Sequence, residues 1–490
     1  MRPLEICLLA VNLPVLLHGV LAPRSRPLWV LVLPLLGVLV FAGHYFFEGW
    51  RWQMAPAYAV TACLFVVSLK LLFRPTPPRS SLRPVGLLAD LFGLMLLGCA
   101  NLLSILLPVF KFPQPTGPFR VGTVSMRLVD NSRHETLSTK PQSYRELMVQ
   151  IWYPAEPAPE TKPDRYLSNL DCPEAAELKQ KIYGMLLRQL DLVRTRSFRD
   201  AQLYAANSTY PVLIFSPAWS GARNQNTFQV EELASHGFVV VGIDHTYCSG
   251  VTVFPDGRVV YSSSDLDLDF KTAAGIQRYL TNAESQIQIR AQDARFVLDE
   301  LEKMNAPGSH DRFSGRLDLK RVGIFGHSFG GAVAAQACCL DTRFKAGMNL
   351  DGMLFGESAR SPVTQPFMFM NSDEPRPTKQ QMAGDPYQKM VGDSWDVQDD
   401  YLKRNGGYNL TIALSKHINF SDNALFSPLR RLTGAGRINA RRCMAIVDAY
   451  SLAFFEKTLE NKPEPLLDGP SPAYPEVTLE KFSRQQASGH

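Results

Sequence analysis

Apolar residues in this chain crowd toward its N-terminal end, and that skew constrains the architecture more than any other feature. Four apolar runs, at 4–22, 27–47, 55–73 and 85–110, each come close to the roughly 20 residues a helix needs to cross a bilayer. The first is interrupted by Asn12, Pro14 and His18. It lacks the small-residue cleavage site of a secretory signal, and three further runs follow it instead of a soluble segment. Buried core helices are the alternative, but the clustering and the short basic linkers favour a four-span transmembrane unit over residues 1–110. In a four-span arrangement Arg24 and Arg26 share a side with Lys70, Arg74, Arg79 and Arg83, facing Arg2, Arg51, Lys111 and Arg120. The Lys/Arg-rich side is expected to be cytoplasmic. The chain therefore reads as a multi-pass membrane protein with its large C-terminal part on the extracytoplasmic side.

A Pro- and Gly-rich linker (KFPQPTGPFRVG) occupies 111–122, a globular domain 123–460, and a Pro-rich tail 461–490. The net charge of +5 over 490 residues comes without a Lys/Arg block, which excludes nucleic acid as an expected partner. The eight cysteines form no C-x-x-C pair and no Cys/His spacing of a zinc site, so no metal is expected. Within the domain, short β-branched or aromatic runs alternate with helical ones. The runs 147–153 (LMVQIWY), 211–216 (PVLIFS), 238–243 (FVVVGI), 321–325 (RVGIF), 346–350, 366–370 and 410–414 read as strands. Segments 225–236, 283–304 and 328–340 read as helices. The pattern predicts an α/β fold, a mostly parallel sheet with helices on both faces. The stretch 175–193 (AAELKQKIYGMLLRQLDLV) reads as a helix packed on the sheet, with a membrane-lying helix as the alternative.

Between the run 321–325 and the following helix lies Gly326-His327-Ser328-Phe329-Gly330-Gly331. This is the G-x-S-x-G elbow in the strand–turn–helix setting it requires. A serine there sits on a strained turn at a helix N-terminus, where backbone N–H groups can hold an oxyanion, and side chains at the flanking glycines would meet neighbouring backbone. The hydroxyl needs a histidine base and a carboxylate that fixes the imidazole tautomer, in the chain order Ser, acid, His. Only His417 and the terminal His490 follow Ser328, and His417, just past a predicted strand, is the better placed. Asp351 and Asp373 both follow strands, and the pattern alone does not choose between them.

These segments resemble the platelet-activating factor acetylhydrolases, the lipoprotein-associated phospholipase type, from about residue 119 to 459. The resemblance rests on TRSFRDA, YPVLIFS, LASHGFVVVGIDH, GHSFGG, NLDGMLFGE, QPFMFMNSDE and SKHINFSD, in that order. It implies an α/β-hydrolase fold with the triad Ser328, Asp351 and His417, leaving Asp373 as the alternative acid. It further implies an oxyanion hole from the backbone N–H groups of Trp219 and Phe329. Where the family carries a segment like FSHGLG, this chain has FSPAWSG, with Pro217-Ala218 in place of His-Gly. The implied activity is calcium-independent hydrolysis of short or oxidised sn-2 acyl chains from phospholipids, with no cofactor. A cutinase- or dienelactone-hydrolase-like esterase is the second reading, and an inactive membrane-tethered binding module the third.

Overall fold

The computed structural model describes residues 1–22, 27–73, 83–138, 143–168, 187–205, 209–263 and 269–484. Four helices, α1 (Pro3–Leu21), α2 (Leu28–Gly43), α3 (Ala55–Phe73) and α4 (Arg83–Leu106), form the N-terminal unit. With their short extensions, all four are long and apolar enough to cross a membrane. Leu8, Leu16, Met54, Ala57, Val60, Leu97 and Ala100 pack at the centre, and Asn12 donates to Thr61 Oγ1 at 2.7 Å. Outward-facing residues are apolar as well. Phe46 and Phe47 are 79% and 87% exposed, an arrangement that water disfavours and lipid tolerates. The linkers holding Arg24, Arg26, Arg74 and Arg79 lie outside the described residues, as do 175–186 and His490.

The remainder is built on one sheet. Its strands are β1 (Arg120–His134), β2 (Tyr144–Glu156), β3 (Ser197–Arg199), β4 (Gln202–Leu203), β5 (Tyr210–Ser216) and β6 (Val239–Asp244). After a small hairpin, β7 (Val251–Val253) and β8 (Val259–Tyr261), come β9 (Leu317–His327), β10 (Phe344–Leu350), β11 (Phe367–Ser372), β12 (Gly407–Ile412) and β13 (Val477–Phe482). The sheet order is β13-β12-β11-β10-β9-β5-β6-β2-β1-β3, with β4 pairing β2. From β6 to β12 every neighbour is parallel, and β2 and β13 flank that block antiparallel. The tail reading of 461–490 is corrected in part: β13 closes the edge of β12.

Strand periodicity assigns the two faces. Leu213 and Phe215 of β5 join Phe325 of β9 and Met348 of β10 on one side. Val212 and Ile214 join Val322 and Ile324 on the other. Each such side chain, fully buried, contributes about 1.5–3 kcal/mol. The first face is covered by α5 (Thr227–Ser235) and by a long C-terminal helix, Ala440–Glu460; the second by α6 (Ala273–Asn305) and α7 (Phe329–Leu340). The chain winds from β5 to β6 on one side, then returns to β9 on the other. Such a reversal leaves a crevice at the carboxyl ends of the two central strands, where open α/β sheets bind ligands.

Buried contacts join the N-terminal unit to this domain. Phe110, at the end of that unit, and Phe112 of the linker are buried in the core of the first face. Gln53 donates to Gln189 Oε1 at 2.7 Å in a buried setting. The described end of 175–193, the 3-10 turn Arg188–Leu192, thus faces inward, with Gln189 and Leu190 buried.

Candidate active site

Ser328 follows the last residue of β9 and immediately precedes α7, at φ 56° and ψ −123°. An L-residue other than glycine is held there only when its surroundings over-determine the turn. They do so here. The Ser328 N–H donates to the Leu350 carbonyl at 2.7 Å. A Cβ on Gly330 would collide with the Ser216 carbonyl, and one on Gly326 with the backbone of Gly330. A Cβ on Gly331 would strike the Asn349 side chain. The serine remains half-buried and so within reach.

The next strand, β10, delivers Asp351. Asn349 shapes the turn by accepting from the Gly352 N–H at 2.7 Å and donating to the Gly352 carbonyl at 3.0 Å. Asp351 takes a positive φ of 58° and donates its N–H to the Met370 carbonyl at 2.8 Å. Its Oδ1 accepts from the Ser372 N–H at 2.7 Å, and its Oδ2 accepts from His417 Nδ1 at 2.8 Å. Burial alone would raise this carboxyl; the His417 hydrogen bond and charge and the Ser372 N–H outweigh it and hold the group below its ordinary range. Asp373 is not brought to the imidazole. It is exposed, and its Oδ2 accepts from the Leu414 N–H at 2.8 Å, bracing the segment that leads to His417.

His417 opens a 3-10 turn, His417–Phe420, beyond β12. Because Nδ1 donates to a carboxylate, Nε2 is the free, basic nitrogen in the neutral ring. His327, the residue before the serine, packs against it with the rings tilted by 36° and their centroids 4.6 Å apart. His327 Nε2 lies 3.0 Å from the His417 carbonyl, and Nδ1 lies 2.9 Å from Gln225 Nε2. A carbonyl only accepts and an amide nitrogen only donates, so His327 is neutral with its proton on Nε2. Burial lowers its pKa to about 3, and His417 beside it adds to the depression. Among the described residues Ser328 Oγ has no hydrogen-bond partner.

On the far side of the serine, the loop after β5 carries Trp219. The Phe329 N–H, at the first position of α7, has no intrahelical acceptor, and among the described residues neither it nor the Trp219 N–H is hydrogen-bonded. Gln225 Oε1 accepts from the Ala218 N–H at 2.8 Å. One amide therefore ties the Trp219 loop to His327. The Trp219 and Phe329 rings meet edge to face at 4.6 Å, with Tyr279, Phe355 and Met353 packed around them.

The chain has counterparts among known proteins. Residues 106–465 match the family described as platelet-activating factor acetylhydrolase, isoform II. The chain belongs to that family. It is a carboxylic ester hydrolase with the α/β-hydrolase fold. A probable 1-alkyl-2-acetylglycerophosphocholine esterase of Arthroderma benhamiae is 26% identical over 78% of this chain and 96% of its own length. The platelet-activating factor acetylhydrolase of Cavia porcellus is 27% identical over 51% of this chain and 58% of that protein. Among solved structures, a ferulic acid esterase from Streptomyces cinnamoneus superposes with a TM-score of 0.59. It shows 29% identity, covering 76% of this chain and 99% of the esterase.

For this acetylhydrolase-family chain, sequence reasoning passed over Gln225 and Asn349. Asn349 opens the NLDGMLFGE segment and acts locally, closing the turn onto Gly352, while Gln225 bridges the Ala218 loop and His327, 102 positions away in the chain. It also passed over a buried polar chain behind β5: Ser216 Oγ to His245 Nε2 at 3.0 Å, and His245 Nδ1 to Asp293 Oδ2 at 2.9 Å. These three residues are closed to solvent. Their order in space copies a triad, but no substrate can reach them.

Proposed function

We propose that this chain hydrolyses carboxylic esters through an acyl-enzyme on Ser328, with phospholipids bearing a short or oxidised sn-2 acyl chain as its substrates. The observation that supports this most is the Asp351–His417 pair beside a serine held at positive φ between glycines. His417 Nε2 takes the Ser328 hydroxyl proton while Oγ attacks the ester carbonyl carbon. Ser328 Oγ makes no hydrogen bond among the described residues, so the Oγ–Nε2 hydrogen bond this transfer uses forms in the substrate complex. Asp351 fixes the Nδ1–H tautomer and stabilises the imidazolium. The Trp219 and Phe329 N–H groups hold the tetrahedral oxyanion. Collapse expels the lysophospholipid oxygen, which takes the proton from His417. Water, deprotonated by the same nitrogen, then releases the fatty acid. No step calls for a metal or cofactor.

The substrate class is supported by the family and by the acetylglycerophosphocholine esterase relative. The aromatic cluster around Trp219 and Phe329 offers an apolar wall for the acyl group. A second reading, an esterase indifferent to a phospholipid head group, is favoured by the ferulic acid esterase likeness. The two separate in one assay: the purified full chain with an sn-2 acetyl phospholipid, a long-chain phospholipid and an aryl ester. Cleavage of the acetyl lipid alone among the phospholipids, lost in Ser328→Ala, is expected. Cleavage of the aryl ester only would transfer the assignment to the second reading.

Within this reading the four apolar helices over 1–110 span the membrane. The linker 111–122 leads to a catalytic domain over 123–460 on the extracytoplasmic side, to whose sheet the segment 461–490 adds β13. The exposed apolar belt of the helices and the basic linkers support that placement.

A further inference from the structure

Helix α6 carries a cation that the mechanism above leaves without a role. Arg290 is fully buried, and among the described residues it has no carboxylate partner. Asp293, one turn further on, is already held by Arg145 at 2.6 Å, Arg133 at 3.0 Å and His245 at 2.9 Å. An arginine closed off from water without a counter-charge is costly, so the groups around it bear on its purpose.

Those groups are the walls of the oxyanion loop. The guanidinium carbon lies 4.8 Å from the Phe329 ring centroid and 5.6 Å from that of Trp219. Nη2 donates to the Cys248 carbonyl at 3.1 Å and to Gln286 Oε1 at 3.0 Å. Nη1 points at the Ala218 carbonyl, 3.4 Å away. That carbonyl belongs to the same peptide unit as the Trp219 N–H. In a planar trans peptide the C=O and N–H point in opposite directions. A C=O turned toward Arg290 therefore turns the Trp219 N–H away from it. Charge-assisted donation to a carbonyl also polarises the amide and strengthens its N–H as a donor.

We propose that Arg290 is a positioning residue for the oxyanion hole: it aims and polarises the Ala218–Trp219 peptide and clamps the side chains of both donor residues. The proposal rests on the assignment of Trp219 and Phe329 as donors given above. A second strut supports the same loop. Ser216, the last residue of β5, is held through His245 to Asp293, so two residues on one face of α6 fix the loop from its start to its donor.

The test uses the full-length chain with Arg290→Met, Arg290→Lys and, as control, Arg295→Met. Arg295 lies on the same helix, 44% exposed at its side chain and paired to Asp341. Three readouts are taken: kcat and KM on a short-chain ester, thermal midpoint, and affinity for an alkyl trifluoromethyl ketone. That ketone adds to the serine and places an anionic oxygen in the hole. Arg290→Met is expected to lower kcat roughly 100-fold with KM within about threefold, and to weaken the ketone by the same factor as kcat, as losing one oxyanion donor does. Arg290→Lys, which keeps charge but not the planar fork, should fall between the two, and Arg295→Met should match the parent. Unchanged kcat and ketone affinity in a folded Arg290 variant would overturn the proposal, as would a loss carried by KM alone. If Arg290→Met does not fold, Arg290→Lys decides on the same readouts. A parent chain that never forms the ketone adduct would instead overturn the Ser328 reading itself.

Discussion

At Asp351 two short hydrogen bonds converge on one carboxylate, from the Ser372 N–H and from His417 Nδ1, and they define what each residue near Ser328 should do when changed. Asp351→Asn keeps the shape but cannot anchor the Nδ1–H tautomer, so kcat should fall by roughly 10³–10⁴-fold. Asp373→Asn leaves an oxygen that can accept from the Leu414 N–H but removes the acceptor's charge, and should cost only about 1 kcal/mol of stability, with kcat within about threefold of the parent. Steady-state rates and urea midpoints of the two variants check both statements. Buried His327 gives a signed pH effect. Its folded pKa of about 3 lies below the ordinary histidine value. Stability from its neutral form is complete above about pH 6.5 and is lost as pH falls toward 3, because the unfolded chain binds the proton more readily. His245, lowered by burial to about 4, acts in the same direction, whereas Glu231, raised by burial to about 7, acts oppositely. The readable quantity is therefore a difference. His327→Gln should reduce the slope of unfolding free energy against pH, between pH 4 and 6, by up to about 1.4 kcal/mol per unit. Ser328 and His417 were legible because chain order and the elbow leave few candidates. The choice of acid was not legible from pattern. It depends on which strand-end carboxylate meets the His417 ring, a contact between residues 66 positions apart with no local signature.

The inner strands were legible because a parallel strand buried on both faces is a short unbroken apolar run, as in β5 and β6. The edges were not. β1 is half polar, in keeping with its alternating burial, and β13 (VTLEKF) hides within a Pro-rich stretch. The helix Ala440–Glu460 is buried around most of its circumference, so its run IVDAYSLAFF shows no single stripe. β13 makes the C-terminal segment an element with a job, because it covers the open edge of β12. Arg442 pairs with Glu476 at 2.8 Å just before it. Truncation after Asn461 should lower the thermal midpoint and promote association through the bared β12 edge, read by calorimetry and light scattering. A midpoint and a monomer fraction equal to those of the parent would contradict that role. Gly330→Ala drives a methyl into the Ser216 carbonyl. It should destabilise by about 1–3 kcal/mol or more, since backbone on both sides must shift.

For the whole molecule, four apolar helices and a hydrolase domain meet through buried contacts at Phe110, Phe112 and the Gln53–Gln189 pair. The apolar helices were plain in the sequence because bilayer thickness sets a length that few soluble segments match. Their docking onto the domain was not, since it runs through single residues some 136 positions apart. The chain should stay with membranes after alkaline carbonate extraction. In sealed cells, protease added outside should digest the segment from 111 onward. Release by carbonate, or protection of the domain, would contradict the span count or the orientation.

The most direct measurement is to treat the purified chain with a fluorophosphonate and locate the adduct by mass spectrometry. A single adduct on Ser328 is expected, absent in Ser328→Ala, formed at least roughly 10³-fold more slowly in Asp351→Asn, and little changed in Asp373→Asn. No adduct at all, or one that survives Ser328→Ala, would contradict the assignment of this serine and with it the mechanism.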